Sequence, residues 1–235
     1  LTVEGDEKRG VSSPVILPDI AVLDSDLTLG LPPQITAATG IDAMVHAIES
    51  YASKNANNNP LSKMLARQAL QLLGANIETA VTDGRNRGAR GAMLLGSMLA
   101  GQAFANSPVA AVHALAYPIG GRFHIPHGLS NALVLPYVLR FNAPLAANAY
   151  SEIAADVFPD LNGEKGMQAR CAMFIERLAG LSAKLGLPQR LRDVGIGEEH
   201  LAGMAADAMK QARLLVNNPR PVDEADAYAI YRAAW

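Results

Sequence analysis

The sequence predicts a mainly α-helical protein, and three observations predict it. Ala and Leu dominate while aromatic residues make up only 5% of the chain, and Ala and Leu lose little on entering a helix. From residue 34 onward, apolar residues recur at helical spacing in one segment after another. Only one short stretch, Ile20–Asp24, reads as a strand, and a lone strand is not stable without a partner sheet. Half of the 235 residues are apolar and 18% are charged, enough to bury a sizeable core.

Taken in order, Val11–Asp26 is expected to be extended, with Pro14 and Pro18 ahead of the strand. Leu31-Pro32-Pro33 announces the first helix, since proline in a first turn gives up no hydrogen bond. Ile35, Ala38, Ile41, Met44, Val45 and Ile48 then mark one helix from Gln34 to about Ser53. The polar run Asn55–Pro60 is a loop. A second helix is expected over 61–80 and, after the Asp83-Gly84 turn, a third over 87–106, whose Gly91, Gly96, Ala100 and Gly101 allow close backbone approach. Further helices are expected over 109–119, 129–142, 144–157, 166–185, 197–209 and 223–234, with residues 120–128 as a loop. The last begins with Asp223 and Glu224, acids that the positive end of a helix dipole favours. Residues 1–30 thus form an extended segment and 31–235 one helical domain. Met44, Met93 and Met98 are assigned to the core, and Arg85, Arg87 and Arg90 to a solvated helix start.

The composition excludes several classes. A net charge of −2 gives no global attraction to nucleic acid or to acidic membranes. No run of 18 apolar residues is present, so no membrane span is expected, and the charged start LTVEGDEKRG is not a signal peptide. A single cysteine, Cys171, leaves no internal disulfide, so a cytoplasmic protein is expected. Neither a G-x-G-x-x-G fingerprint nor a P-loop occurs, and there is no G-x-S-x-G nucleophile elbow. Leu1 in place of Met points to a lost initiator or to a piece of a longer chain.

Chemistry concentrates in three of the five histidines. Asp42 and His46 stand four apart on the first helix and project from one face. His113 follows an apolar run, and His127 precedes the next helix, fourteen residues later. One carboxylate and three imidazoles suit Fe²⁺ or Zn²⁺, and such an ion polarises a substrate oxygen as a Lewis acid. By spacing alone, ordinary readings stay open. Asp42 and His46 fit a hydrogen-bonded pair on a helix surface, His113 a satisfied core histidine, and His127 a helix-start residue. His124 and His200 read as surface residues.

Two longer motifs go further. Thr39–Tyr51, TGIDAMVHAIESY, resembles the first signature of the iron-containing (group III) alcohol dehydrogenases; His113–Gly120, HALAYPIG, followed by Pro126–Ala132, PHGLSNA, resembles the second. Leu17–Asp24 and Leu31-Pro32-Pro33 are similar to that family's interdomain crossing, and Asn218-Pro219-Arg220 to its usual ending. The resemblance implies the helical metal-binding domain of a dehydroquinate synthase-like fold, with the Ile20–Asp24 strand belonging to an α/β domain expected ahead of Leu1. It also implies Asp42, His46, His113 and His127 as metal ligands, with Fe²⁺ preferred to Zn²⁺. NAD or NADP is the implied cofactor, held by the α/β domain; no residue of this chain is assigned to it.

The implied reaction interconverts an alcohol with an aldehyde or ketone, the metal activating the substrate oxygen, in a homo-oligomeric enzyme. Where many members carry a further histidine near the nicotinamide, this chain has Tyr117. A tyrosine shuttles protons less well at neutral pH, its ordinary pKa being about 10; it and His127 are the candidate catalytic side chains. Ser107–Ala110 replaces a commoner glycine-bearing run, which alters the pocket. Phe104, Val109 and Leu214 correspond in position to apolar pocket walls. Two other readings fit the bare ligand set: a hydrolase using metal-bound water, and a helical domain that keeps a metal for folding without activity of its own.

Overall fold

A computed structural model describes residues 2–4, 7–9, 13–163 and 166–235. Two short antiparallel strands, β1 (Thr2–Glu4) and β2 (Glu7–Arg9), open the chain. The expected strand at Ile20–Asp24 is not formed. No described strand lies alongside it, and Ile20 and Val22 are 81% and 84% exposed, so the segment stays without a ladder. Val11 and Ser12, at the start of the expected extended stretch, lie outside the described residues.

The rest is helical, as the periodicity predicts, except that the loop expected over 120–128 shortens to residues 124–126 between two helices. The helices are α1 (Pro33–Ala52), α2 (Pro60–Thr82), α3 (Arg87–Asn106), α4 (Ala111–Phe123), α5 (His127–Val157), α6 (Met167–Lys184), α7 (Leu201–Met209), α8 (Ala212–Leu215) and α9 (Glu224–Ala234). Their starts follow local chemistry. Pro33 opens α1, Asn59 and Ser62 form a capping box on α2, and Asp223 and Asp226 form another on α9, each satisfying backbone N–H groups that a helix start leaves free. Thirteen of the 20 residues of α1 are buried, which makes it a central helix rather than an amphipathic surface one. It packs against α2, α3 and α5.

Three expectations need correction. The helices expected over 129–142 and 144–157 are one 31-residue helix that runs through Pro136 and Pro144. Proline removes a helix hydrogen bond, but the turn ahead of Pro144 is held from outside. Arg220 donates to the Phe141 carbonyl at 2.9 Å, and the amides of Asn142 and Asn218 each donate to the other's oxygen. Arg90 is not solvated; it is 3% exposed. Its guanidinium donates to Gly84 O, Thr36 Oγ1 and Leu31 O, which satisfies a buried cation's donors and braces the Leu31–Pro33 turn. Arg85 and Arg87 are exposed as expected, Arg87 in an ion pair with Asp26. Met44 is fully buried, whereas Met93 and Met98 are only partly so.

The approach of α5 to α1 sets the position of everything below. At Gly128 an added Cβ would stand 2.5 Å from the Ala38 carbonyl oxygen and 2.8 Å from its carbon. Only a glycine lets the first turn of α5 lie against the α1 backbone. Gly128→Ala is therefore expected to lower stability by roughly 1–3 kcal/mol, the usual cost of overpacking, as a lower urea midpoint with an unchanged slope.

Candidate metal centre

Three helices deliver four side chains to one point. Asp42 and His46 lie one turn apart on α1, His113 in the first turn of α4, and His127 at the first position of α5. Asp42 Oδ1 is 3.8 Å from His46 Nε2, 3.7 Å from His113 Nε2 and 3.9 Å from His127 Nε2. One donor atom from each residue lies within 4.8 Å of all the others. The His46 and His113 rings stack at 4.8 Å, and the His113 and His127 rings meet at 5.3 Å. His113 is 3% exposed, whereas the side chains of Asp42, His46 and His127 are 15%, 22% and 23% exposed. The group is thus closed behind His113 and open on the other side.

The donor chemistry fits a divalent cation. Burial, with the charge that a protonated His113 would add, pushes His46 down to about 3; Asp42 opposes this and His127 adds to it. His46 is therefore neutral near pH 7, with a lone pair free to bind. His113 has its tautomer fixed. Its Nδ1 lies 2.7 Å from Glu49 Oε2, so Nδ1 carries the proton and Nε2 faces Asp42 as an acceptor. Three imidazoles and a carboxylate oxygen this close together call for a positive charge among them.

Two residues of this arrangement carried no role in the sequence reading. Glu49 is 6% exposed. One of its oxygens accepts a hydrogen bond from the His113 Nδ1–H and the other accepts from the Val112 N–H at 2.7 Å. It stands seven residues after Asp42, so Asp42, His46 and Glu49 share a face of α1; an acid on the apolar face of a buried helix was the available signal. Asn131, one turn after His127, donates from its amide to Asp42 Oδ1 at 2.5 Å. Its signal was an amide four residues after His127, immediately ahead of the apolar run 132–135.

Tyr117 lies one turn beyond His113, 6% exposed, with its ring 6.1 Å from that of His127. Burial raises its pKa, and the nearby Arg213 cation opposes this without cancelling it. Phe104 is brought to the cluster, its ring 4.9 Å from His46. Val109 and Leu214 are buried in the main core, ahead of α4 and on α8. In the altered Ser107–Ala110 run, Ser107 Oγ donates to the Ser50 carbonyl at 2.7 Å and ties the end of α3 to α1. His124 and His200 are exposed and stand apart from the cluster.

Known proteins share this arrangement of helices and sequence. The sequence model described as "Fe-containing alcohol dehydrogenase family, C-terminal" matches residues 36–235. The long-chain-alcohol dehydrogenase 1 of Geobacillus thermodenitrificans is 43% identical over 234 residues, covering 97% of this chain and 57% of that protein. The 1,3-propanediol dehydrogenase of Citrobacter freundii is 40% identical, covering 93% and 56%. A crystal structure of a 1,3-propanediol oxidoreductase superposes with a TM-score of 0.86 at 38% identity, covering 90% of this chain and 55% of that one. The chain therefore spans somewhat more than half the length of the relatives it matches. Among the described residues, no helix is long and apolar enough to cross a membrane.

Glu49 gives this site its own test. Glu49→Leu leaves two buried donors, Val112 N and His113 Nδ1, without an acceptor. At about 1–3 kcal/mol each, the expected loss is roughly 2–6 kcal/mol in urea unfolding, with Glu49→Gln losing less because its carbonyl still accepts one bond.

Proposed function

The chain belongs to the Fe-containing alcohol dehydrogenase family, and we propose that it is the metal-holding helical part of an NAD(P)-dependent enzyme interconverting an alcohol with an aldehyde or ketone. The observation that carries the reading is the convergence of Asp42, His46, His113 and His127 within 4.8 Å. These four hold the ion, Fe²⁺ in preference to Zn²⁺. A divalent ion there would supply Lewis acidity toward a substrate oxygen, which gains negative charge when hydride arrives at a carbonyl and already carries it, the proton having left, when hydride departs from an alcohol.

The protein's own groups do the rest. Glu49 keeps His113 in the tautomer that presents Nε2. Phe104, 4.9 Å from His46, would form an apolar wall beside the ligands, with Val109 and Leu214 of the core as the further candidates for the pocket lining. Tyr117 keeps its proton at neutral pH because burial raises its pKa, so it acts as a hydrogen-bond donor at the pocket edge rather than as a free base. Residues 1–30 cross between domains and 31–235 form the catalytic domain. The nicotinamide site belongs to an α/β domain beyond these 235 residues, in keeping with the greater length of the relatives. The exposed Val15, Leu17, Ile20 and Val22 would pack against it. The substrate is a small alcohol or carbonyl compound, and the working enzyme is a cytoplasmic homo-oligomer.

In the protein that carries the α/β domain as well, Asp42→Ala and His127→Ala are expected to lose bound metal and NAD(P)-dependent turnover together; full turnover by either variant with no metal bound would overturn the proposal. Tyr117→Phe is expected to retain the metal and to lower kcat by about 10²-fold or less, at or below the low end for a proton-handling group. Steady-state kinetics with metal analysis on the same samples checks this.

A further inference from the structure

Asn131 is 0% exposed and lies on the same face of α5 as His127. Besides its hydrogen bond to Asp42 Oδ1, its amide nitrogen lies 3.3 Å from His113 Nε2 and 3.3 Å from His127 Nε2. Three of the four candidate ligand atoms, from three different helices, therefore meet one NH₂ group; each imidazole Nε2 has a single lone pair, so of these contacts only the bond to Asp42 can persist beside a bound ion. At the other end of the amide, Oδ1 is buried and accepts no hydrogen bond. A buried carbonyl without a donor is a stability cost that an apolar side chain in this place would avoid. Packing alone does not explain an amide here; its donor does.

We infer that Asn131 is the positioning residue of the ligand group, its amide N–H holding the Asp42 carboxylate with Oδ1 turned toward the three imidazoles. This inference rests on the metal reading above. A carboxylate rotates about its last bond and offers two equivalent oxygens, so a ligating aspartate needs a partner to fix which oxygen faces the ion. An ionised carboxylate oxygen has lone pairs enough to accept the Asn131 N–H and still bind a cation. The bond also joins α1 to α5 one turn beyond Gly128, and so sets the register in which Asp42 and His127 face each other. Partners of this kind alter metal affinity by about 10–100-fold when removed.

The test compares the full chain with Asn131→Leu, and with Asn131→Ala where leucine strains the site. Fe²⁺ and Zn²⁺ dissociation constants come from chelator competition, melting temperatures from metal-free protein, and nearest-neighbour counts from X-ray absorption of the metal-loaded forms. The expected result is affinity weakened about 10–100-fold, an unchanged neighbour count, and metal-free variants that still melt cooperatively, at a temperature only modestly lowered by the lost bond between α1 and α5. Wild-type affinity in both variants would overturn the inference and leave the metal reading standing. Metal-free variants that no longer melt cooperatively would reduce Asn131 to a structural role and also overturn it. So would a neighbour count lower by one, which would make the Asn131 carbonyl a ligand. If the unaltered chain binds neither ion, the metal reading itself fails and the inference falls with it.

Discussion

The bond from His113 to the buried carboxylate of Glu49 is the interaction on which the site depends. It links the central helix α1 to the first turn of α4, and it does so twice, through the imidazole Nδ1 and through the Val112 backbone N–H. Without it, a 3% exposed histidine would lack a partner for its proton and either tautomer could face the cluster. With it, Nε2 points at Asp42 and the ring stacks on His46. The same carboxylate thus fixes a helix contact, a tautomer and the direction of a lone pair.

Around that bond, the fold gathers donors that would otherwise repel. Asp42 and His46 come from a helix buried on most of its surface, so their backbone has little freedom to retreat. His127 arrives at the start of α5, where Gly128 lets two backbones touch. Such convergence is a local conflict that a sequence selected for stability alone would avoid, and departures of this kind mark functional sites. The open side lies at Asp42, His46 and His127, whose side chains are 15%, 22% and 23% exposed.

Much of the fold was legible because helices announce themselves locally. The 3.6-residue spacing of Ile41, Met44, Val45 and Ile48, the proline at the start of α1 and the acids at the start of α9 each act within a few residues. What was not legible depended on distant partners. Ile20–Asp24 has the composition of a strand, but a strand is completed by a neighbour that the described residues do not provide. Pro144 reads as a break between helices, yet Arg220 and Asn218, more than 70 residues away in sequence, hold the turn before it. Arg90 reads as a solvated charge, yet its three acceptors close around it only after folding. The candidate site divides along the same line. Asp42, His46, His113 and His127 stood out by residue type and motif, whereas Glu49 and Asn131, though spaced to share faces with Asp42 and His127, act through contacts to other helices that spacing does not identify.

Anomalous diffraction from crystals grown with Fe²⁺, recorded above and below the iron edge, tests the central claim most directly. The account predicts one strong peak among Asp42 Oδ1 and the Nε2 atoms of His46, His113 and His127, within bonding distance of all four. A peak elsewhere on the chain, or none in protein shown to carry iron, would contradict it.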